Sequence, residues 1–267
     1  PGKDGIPNDM IKNLGPVARQ RLLLIINQSW NSGKLPDGWR EAVIVPIRKK
    51  QKEKTKKSSY RPISLLSCLG KVMERMVNTR LLKHLEENLL LSNTQSAYRK
   101  NRSTDDQLVY LAQEIETAFQ EKKKVFAVFV DLTKAFDKVW KAGLLLKLLN
   151  KKVEGKMFRW IQDFLQHRTA RVKLDGKTSH RVTLQQGVPQ GGVISPTLFL
   201  IFIDDIAEKI SKHVSRALHA DDFAAWSAAP HLASAGHRMQ EALNHIGTWP
   251  SDWGVDINTT KTVSPVF

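Results

Sequence analysis

The stretch "ALHADDFAAW" (residues 217–226) sets two adjacent carboxylates, Asp221 and Asp222, between short runs of small and apolar residues that otherwise read as buried strand. One unpaired buried carboxylate is costly and two side by side repel, so the pair either reaches water at a turn or meets a cation. Asp-Asp at a β-turn is common and needs no metal. A second segment changes the balance. "KKVFAVFVDL" (123–132) is a Val- and Phe-rich strand that also ends on a carboxylate, Asp131, and leads into "TKAFDKVW", where a helix can start. If the two strands share a sheet, three acids come to one point. Hard divalent cations are their natural partners, with phosphate oxygens completing the coordination shell. A further pair, Asp204-Asp205, is expected inside an apolar helix running toward Ile210, where neighbours point about 100° apart and do not share a ligand.

Composition narrows the partners. The chain has 267 residues, 41% of them hydrophobic, enough for a sizeable core. Lys and Arg number 42 against 26 Asp and Glu, a formal net charge of +16, which points to a polyanion and first of all to nucleic acid. A membrane is the weaker candidate: no apolar run is longer than that at 198–203, which is far short of a span, and no signal-peptide pattern opens the chain. An intracellular protein is the expectation. Cys68 is the single cysteine, so any metal is expected on oxygen ligands. Starting at Pro1 and stopping at Phe267, the chain reads as a piece of a longer polypeptide.

Around the acids, helical spacing is expected over 17–32 and 71–91, and a third helix opens at "STDDQLVYLAQEIETAF", capped by Ser103 or Thr104. Between the first two, "REAVIVPI" and "YRPISLL" read as strands joined by "RKKQKEKTKKSS" (48–59), a loop with seven basic residues and one acid. Pro62 holds Arg61 extended, so the whole reads as a basic hairpin. Its lysines suit a solvated face or a template backbone, while Lys49 and Arg61 flank the loop where they can close on a triphosphate. Two helical segments follow around Leu144 and Trp160, then a hairpin turning at Asp175-Gly176. In "QQGVPQGGVI", Gly191 and Gly192 leave room for a base or sugar and Gln190 can hydrogen-bond it, although glycine loops are frequent turns. A helix over 232–249 and a closing hairpin in "GVDINTTKTVSPVF" complete an α+β chain, with an antiparallel sheet covered by helices on one face.

"FVDLTKAFDKV", "QGVPQGGVISPTLF" and "HADD", in this order, with "YRPISLL" upstream and "WGVDINTTKT" downstream, resemble the fingers and palm of a reverse transcriptase, and "PGKDGIPNDMIK", "GKVMERMVNTRL" and "QSAYRKNRSTDDQL" narrow the resemblance to non-LTR (LINE-type) retrotransposon polymerases of the jockey-like group. The resemblance implies fingers over 1–122, a palm over 123–267 with a fingers-side insertion around 141–185, and a thumb beyond 267. It implies that Asp131, Asp221 and Asp222 hold two Mg2+ ions, with Mn2+ as an alternative. Phe136 falls on a steric gate against a 2'-hydroxyl, Gln190 and Gly191 on the nucleotide pocket, and Arg61 and Lys49 on triphosphate-binding positions. Lys261 falls on a lysine that protonates departing pyrophosphate. A core phenylalanine and a solvated lysine are the plainer readings of Phe136 and Lys261. Two residues depart from the family: His219 stands where an aromatic precedes the Ala-Asp-Asp, and Pro250 is expected to kink or end its helix.

The implied partners are an RNA template, a DNA primer or target, deoxynucleoside triphosphates and the remaining segments of a parent polyprotein, with nuclear action. The rival from another class is an inactive nucleic-acid-binding remnant that grips by charge alone. An RNA-templated RNA polymerase is a third reading, and Phe136 argues against it.

Overall fold

The computed structural model describes residues 1–267. Its first elements are α1 (Asn8–Lys12), α2 (Pro16–Ser32), β1 (Glu41–Arg48), β2 (Tyr60–Leu65), α3 (Cys68–Glu87) and α4 (Thr104–Gln120). Then come β3 (Lys124–Val130), β4 (Leu132–Thr133), α5 (Ala135–Lys138), α6 (Lys141–Asn150), α7 (Gly155–Leu165), β5 (Thr169–Leu174), β6 (Lys177–Thr178) and β7 (Val182–Thr183). The chain continues through α8 (Ser195–Ile203), β8 (Ser215–His219), β9 (Asp222–Ala229), α9 (Leu232–Trp253) and β10 (Asp256–Ile257). They gather into two units, one of Pro1–Asn88 with Lys141–Ser195 and one of Leu89–Trp140 with Pro196–Phe267. The units divide the chain elsewhere than at 122/123, because α4 packs on β3, β8 and β9 and so joins the strands that carry the acids.

In the first unit the basic hairpin forms as expected, β1 and β2 running antiparallel with Val45 opposite Ile63. On its other edge β1 pairs in parallel with β5, whose own hairpin to β6 turns at Asp175 and Gly176. Both turn residues have positive φ (+49° and +76°), the geometry that a two-residue hairpin requires and that Asp-Gly supplies. Helix α3 starts on Ser67, whose hydroxyl accepts from the Gly70 N–H, and buries Met73, Val77, Leu81 and Leu85 along one stripe.

In the second unit the sheet order is β3-β9-β8, antiparallel throughout. A capping box at Ser103 and Asp106 opens α4, so of the two candidate caps Ser103 is the one used and Thr104 is the first helical residue. Leu111, Ile115 and Ala118 of α4 lie against Val125, Ala127 and Trp226. Side chains alternate across a strand, and Val128, Val130, Phe223 and Ala225 on the opposite face are also buried. Both faces of the sheet are therefore covered, not one.

Three local expectations are corrected. Helix α8 ends at Ile203, so Asp204 and Asp205 lie beyond it, where Asp204 accepts from the Ser92 N–H (2.8 Å) and Asp205 from the Trp249 indole (2.8 Å). Those bonds draw the chain out of the helix. Pro250 sits inside α9, which continues to Trp253: its carbonyl accepts from the Gly254 N–H, and Phe202 packs edge-on against Trp249 and Trp253. The closing segment is no hairpin of its own. Asp256 and Ile257 pair with β4, and Val263 and Val266 bridge to Phe129 and Phe126, because the outer edge of β3 would otherwise leave its backbone groups unpaired. No helix is long and apolar enough to cross a membrane.

Candidate active site

The turn between β8 and β9 has two residues, Ala220 and Asp221, after the last pair His219–Asp222. Asp222 is therefore the first residue of β9, and of the two acids only Asp221 lies in the turn. Strand β3 pairs with β9 up to Val130 and Phe223. One step further along the same register, Asp131 and Asp222 stand opposite each other. Both line a cavity of about 410 Å³ with Gln107, Phe129, His219 and Lys261.

The electrostatics follow from that convergence. Burial pushes the Asp221 carboxyl above the usual carboxylate range, a bond from its own backbone N–H pulls it back, Asp222 and Asp131 push it further up, and Lys261 draws it down. Asp221 thus feels both other acids although it does not line the cavity. The Lys261 ammonium donates to both carboxylate oxygens of Asp131, at 3.2 and 3.1 Å. No three acidic, histidine or cysteine side chains are arranged to grip an ion as they stand; Asp131 is held by the lysine instead.

Two neighbours complete this side. The ring of His219 lies 3.1 Å from the Ser96 hydroxyl and 3.2 Å from that of Thr104, so imidazole is tied by polar contacts where an aromatic ring would only pack. Phe136, half-buried at the start of the short α5, stacks on the buried Phe199 at 4.3 Å between ring centres. It carries both the core contact and an exposed edge.

The remaining expected residues belong to the first unit. Arg61 is exposed on β2, and the Lys49 ammonium donates to the Ser58 carbonyl across the base of the basic loop (3.0 Å). The Ser64 N–H donates to the Gln190 carbonyl (2.8 Å). Gly191 has φ +119°, and a Cβ there would come within 2.5 Å of the Ser64 carbonyl, so only glycine fits this approach. The loop of Gln190 and Gly191 is thus laid on the strand that carries Arg61.

A residue the sequence reading passed over holds this loop from its other side. Glu74, 3% exposed on α3, accepts from the Val193 N–H (2.6 Å) and the Ile194 N–H (3.3 Å). Burial raises its pKa; those two bonds and the charge of the buried Arg168 oppose the rise. Arg168 in turn is pushed down to about 10 by burial, with Glu74 pulling it up and Arg40 lowering it. The signal was present: a carboxylate three and seven residues before Val77 and Leu81 falls on the buried stripe of its helix.

Comparison with known proteins decides the family. Residues 47–264 match the model described as "Reverse transcriptase (RNA-dependent DNA polymerase)". The chain belongs to the reverse transcriptase family. Across its whole length it is 34% identical to the RNA-directed DNA polymerase from mobile element jockey of Drosophila melanogaster, and 33% identical to the probable RNA-directed DNA polymerase from transposon BS of the same organism. The non-LTR, jockey-like kinship expected from its motifs is borne out. It spans 30% of the length of each of those relatives. Among solved structures, apo telomerase from Candida tropicalis, truncated from its C-terminal domain, superposes with a TM-score of 0.62 at 13% identity, over 94% of this chain and 56% of that one. Telomerase from Candida albicans, in complex with a fragment of telomeric RNA, gives 0.60 at 16% identity over 92% and 47%. These neighbours support a fingers-and-palm polymerase fold for the mixed α+β chain.

Proposed function

We propose that this chain is the fingers and palm of an RNA-directed DNA polymerase that extends a DNA 3' end along an RNA template during retrotransposition. We read residues 123–267 as palm, joined by the preceding helix α4 and interrupted by a fingers-side insertion around 141–185, and the unit holding the basic hairpin, with that insertion, as fingers. The observation that carries the reading is the opposition of Asp131 and Asp222 across β3 and β9, with Asp221 in electrostatic reach of both.

The donor set fits a hard divalent cation. It is all oxygen, and Asp222 and Asp131 both push the buried Asp221 carboxyl upward, the mark of negative charge gathered at one point. Mg2+, or Mn2+ in its place, would be held by Asp131, Asp221 and Asp222 and would supply charge neutralisation at a transferring phosphoryl group and activation of the attacking hydroxyl. Lys261, beside Asp131, is placed to give a proton to departing pyrophosphate. The exposed edge of Phe136 excludes a 2'-hydroxyl. Gln190 and Gly191 bound the nucleotide, while Arg61 and Lys49 meet its phosphates. The surplus of basic side chains binds the template backbone.

The parent polypeptide, tested in primer extension on an RNA template with deoxynucleotides, is expected to extend the primer and to lose that activity with Asp221→Ala. Extension that survives the substitution refutes the assignment. A remnant binding by charge alone would instead retain RNA affinity with no metal-dependent nucleotide site. Nuclear action follows from the same reading, and imaging of the tagged parent protein tests it.

A further inference from the structure

The turn that presents Asp221 is strained, and a buried amide braces it. Ala220 has φ +57°, a left-handed conformation that the Cβ of an L-residue disfavours. Its side chain is 7% exposed and packs with Ala97 and Leu200, so the turn cannot relax outward freely. The brace is Gln95, 0% exposed, whose side-chain oxygen accepts from the Ala220 N–H at 3.1 Å and from the Ala97 N–H at 2.9 Å. Two backbone donors aimed at one atom fix it as the oxygen, which leaves the amide nitrogen buried without a partner.

The brace itself is anchored to β8. Gln95 bridges Leu218 in parallel, the Leu218 N–H donates to the Thr94 carbonyl (3.0 Å), and the Ser96 N–H donates to the Leu218 carbonyl (2.9 Å). Ser96 also holds His219. Residues 94–96 thus act as a short added strand that grips β8 up to the turn.

We propose that Gln95 is a positioning residue for catalysis: by accepting from Ala220 it fixes the left-handed turn and so sets where Asp221 points. This rests on the reading of Asp221 as a catalytic acid. Removing the acceptor leaves the fold in place and lets the turn swing, and a displacement of about 1 Å at a reacting group can cost 100-fold.

The test uses the parent polypeptide in primer extension, with melting temperature followed alongside. Gln95→Met, close in volume but without the acceptor, is expected to lower kcat 10- to 100-fold while the KM for deoxynucleotide stays within about threefold. Ala220→Gly, which adopts the turn without strain, is expected to restore at least tenfold of kcat in the double variant, a rescue that general destabilisation would not show. Should Gln95→Met fail to fold, Gln95→Asn, which withdraws the oxygen by one methylene, is read the same way. Wild-type kcat in a folded Gln95 variant, or an unrescued loss, overturns the proposal. Failure of the polymerase reading looks different: the wild type would not extend, or would extend without Asp221.

Discussion

Lys261 donates from one ammonium to both carboxylate oxygens of Asp131, at 3.1 and 3.2 Å, across 130 residues of sequence. The pair sits at the rim of the acid cavity, with Asp131 29% and Lys261 64% exposed. So open a bridge contributes less than about 1 kcal/mol to stability. On the proposed function its value lies in keeping a proton donor beside the acids.

Lys261→Ala is accordingly expected to change the melting temperature little and to slow single-nucleotide incorporation by about 100- to 1,000-fold, the range of a lost general acid. Lys261→Arg keeps the ion pair without a transferable proton at neutral pH. It is expected to remain slow, and rapid-quench kinetics on both variants separate charge from proton donation.

Asp221 is unfavourable to the fold and, on the proposed function, necessary to the chemistry. Its folded-state pKa is raised, first by burial and then by Asp222 and Asp131, so stability is fullest when it is protonated and falls as pH rises through the folded value. Asp221→Asn is therefore expected to raise the melting temperature at neutral pH while abolishing extension. Scanning calorimetry and primer extension on the same preparation check the two halves.

Glu74 gives a pH dependence with the same sign. Burial raises its pKa, so its effect favours the fold below the unfolded carboxyl range and weakens as pH rises through the folded value. Glu74→Gln still offers an oxygen to Val193 and is expected to flatten the melting temperature against pH above about 5, near the unfolded carboxyl value of about 4.3. Glu74→Ala strands two N–H groups of the glycine loop and is expected to cost about 1–3 kcal/mol, with a raised KM for deoxynucleotide.

Phe136 is expected to act as both gate and packing. Phe136→Ala removes the stack on Phe199 and lowers the melting temperature; it also opens the sugar pocket, so preference for deoxynucleotides over ribonucleotides falls about tenfold or more. Parallel incorporation assays with dNTP and rNTP measure this. Unchanged discrimination would leave Phe136 a packing residue only.

The local signals were legible because they are carried by few residues. Asp175-Gly176 turns its hairpin and Ser103, one of two candidate caps, opens α4, while Gly191 was legible only as a position that needs room, which on its Cβ side the Ser64 carbonyl takes up. The partners of each strand were less so. Nothing in the 169–174 segment tells that it joins β1 in parallel, and "TKTVSPVF" carries no mark that its edge belongs to β3, since backbone pairing is blind to side-chain identity. The same blindness hid Gln95 and Glu74, polar residues whose roles are to accept from backbone N–H groups far away in sequence. Pro250 does not end its helix for the complementary reason: aromatic packing by Phe202 around Trp249 and Trp253 carries α9 on to Trp253.

The most direct test of the acid site is Mn2+ binding to the parent polypeptide, followed by paramagnetic resonance with and without deoxynucleoside triphosphate. Tight binding that requires the triphosphate, and that Asp131→Asn and Asp221→Asn each reduce by tenfold or more, is the predicted result. Binding that neither substitution changes would contradict it.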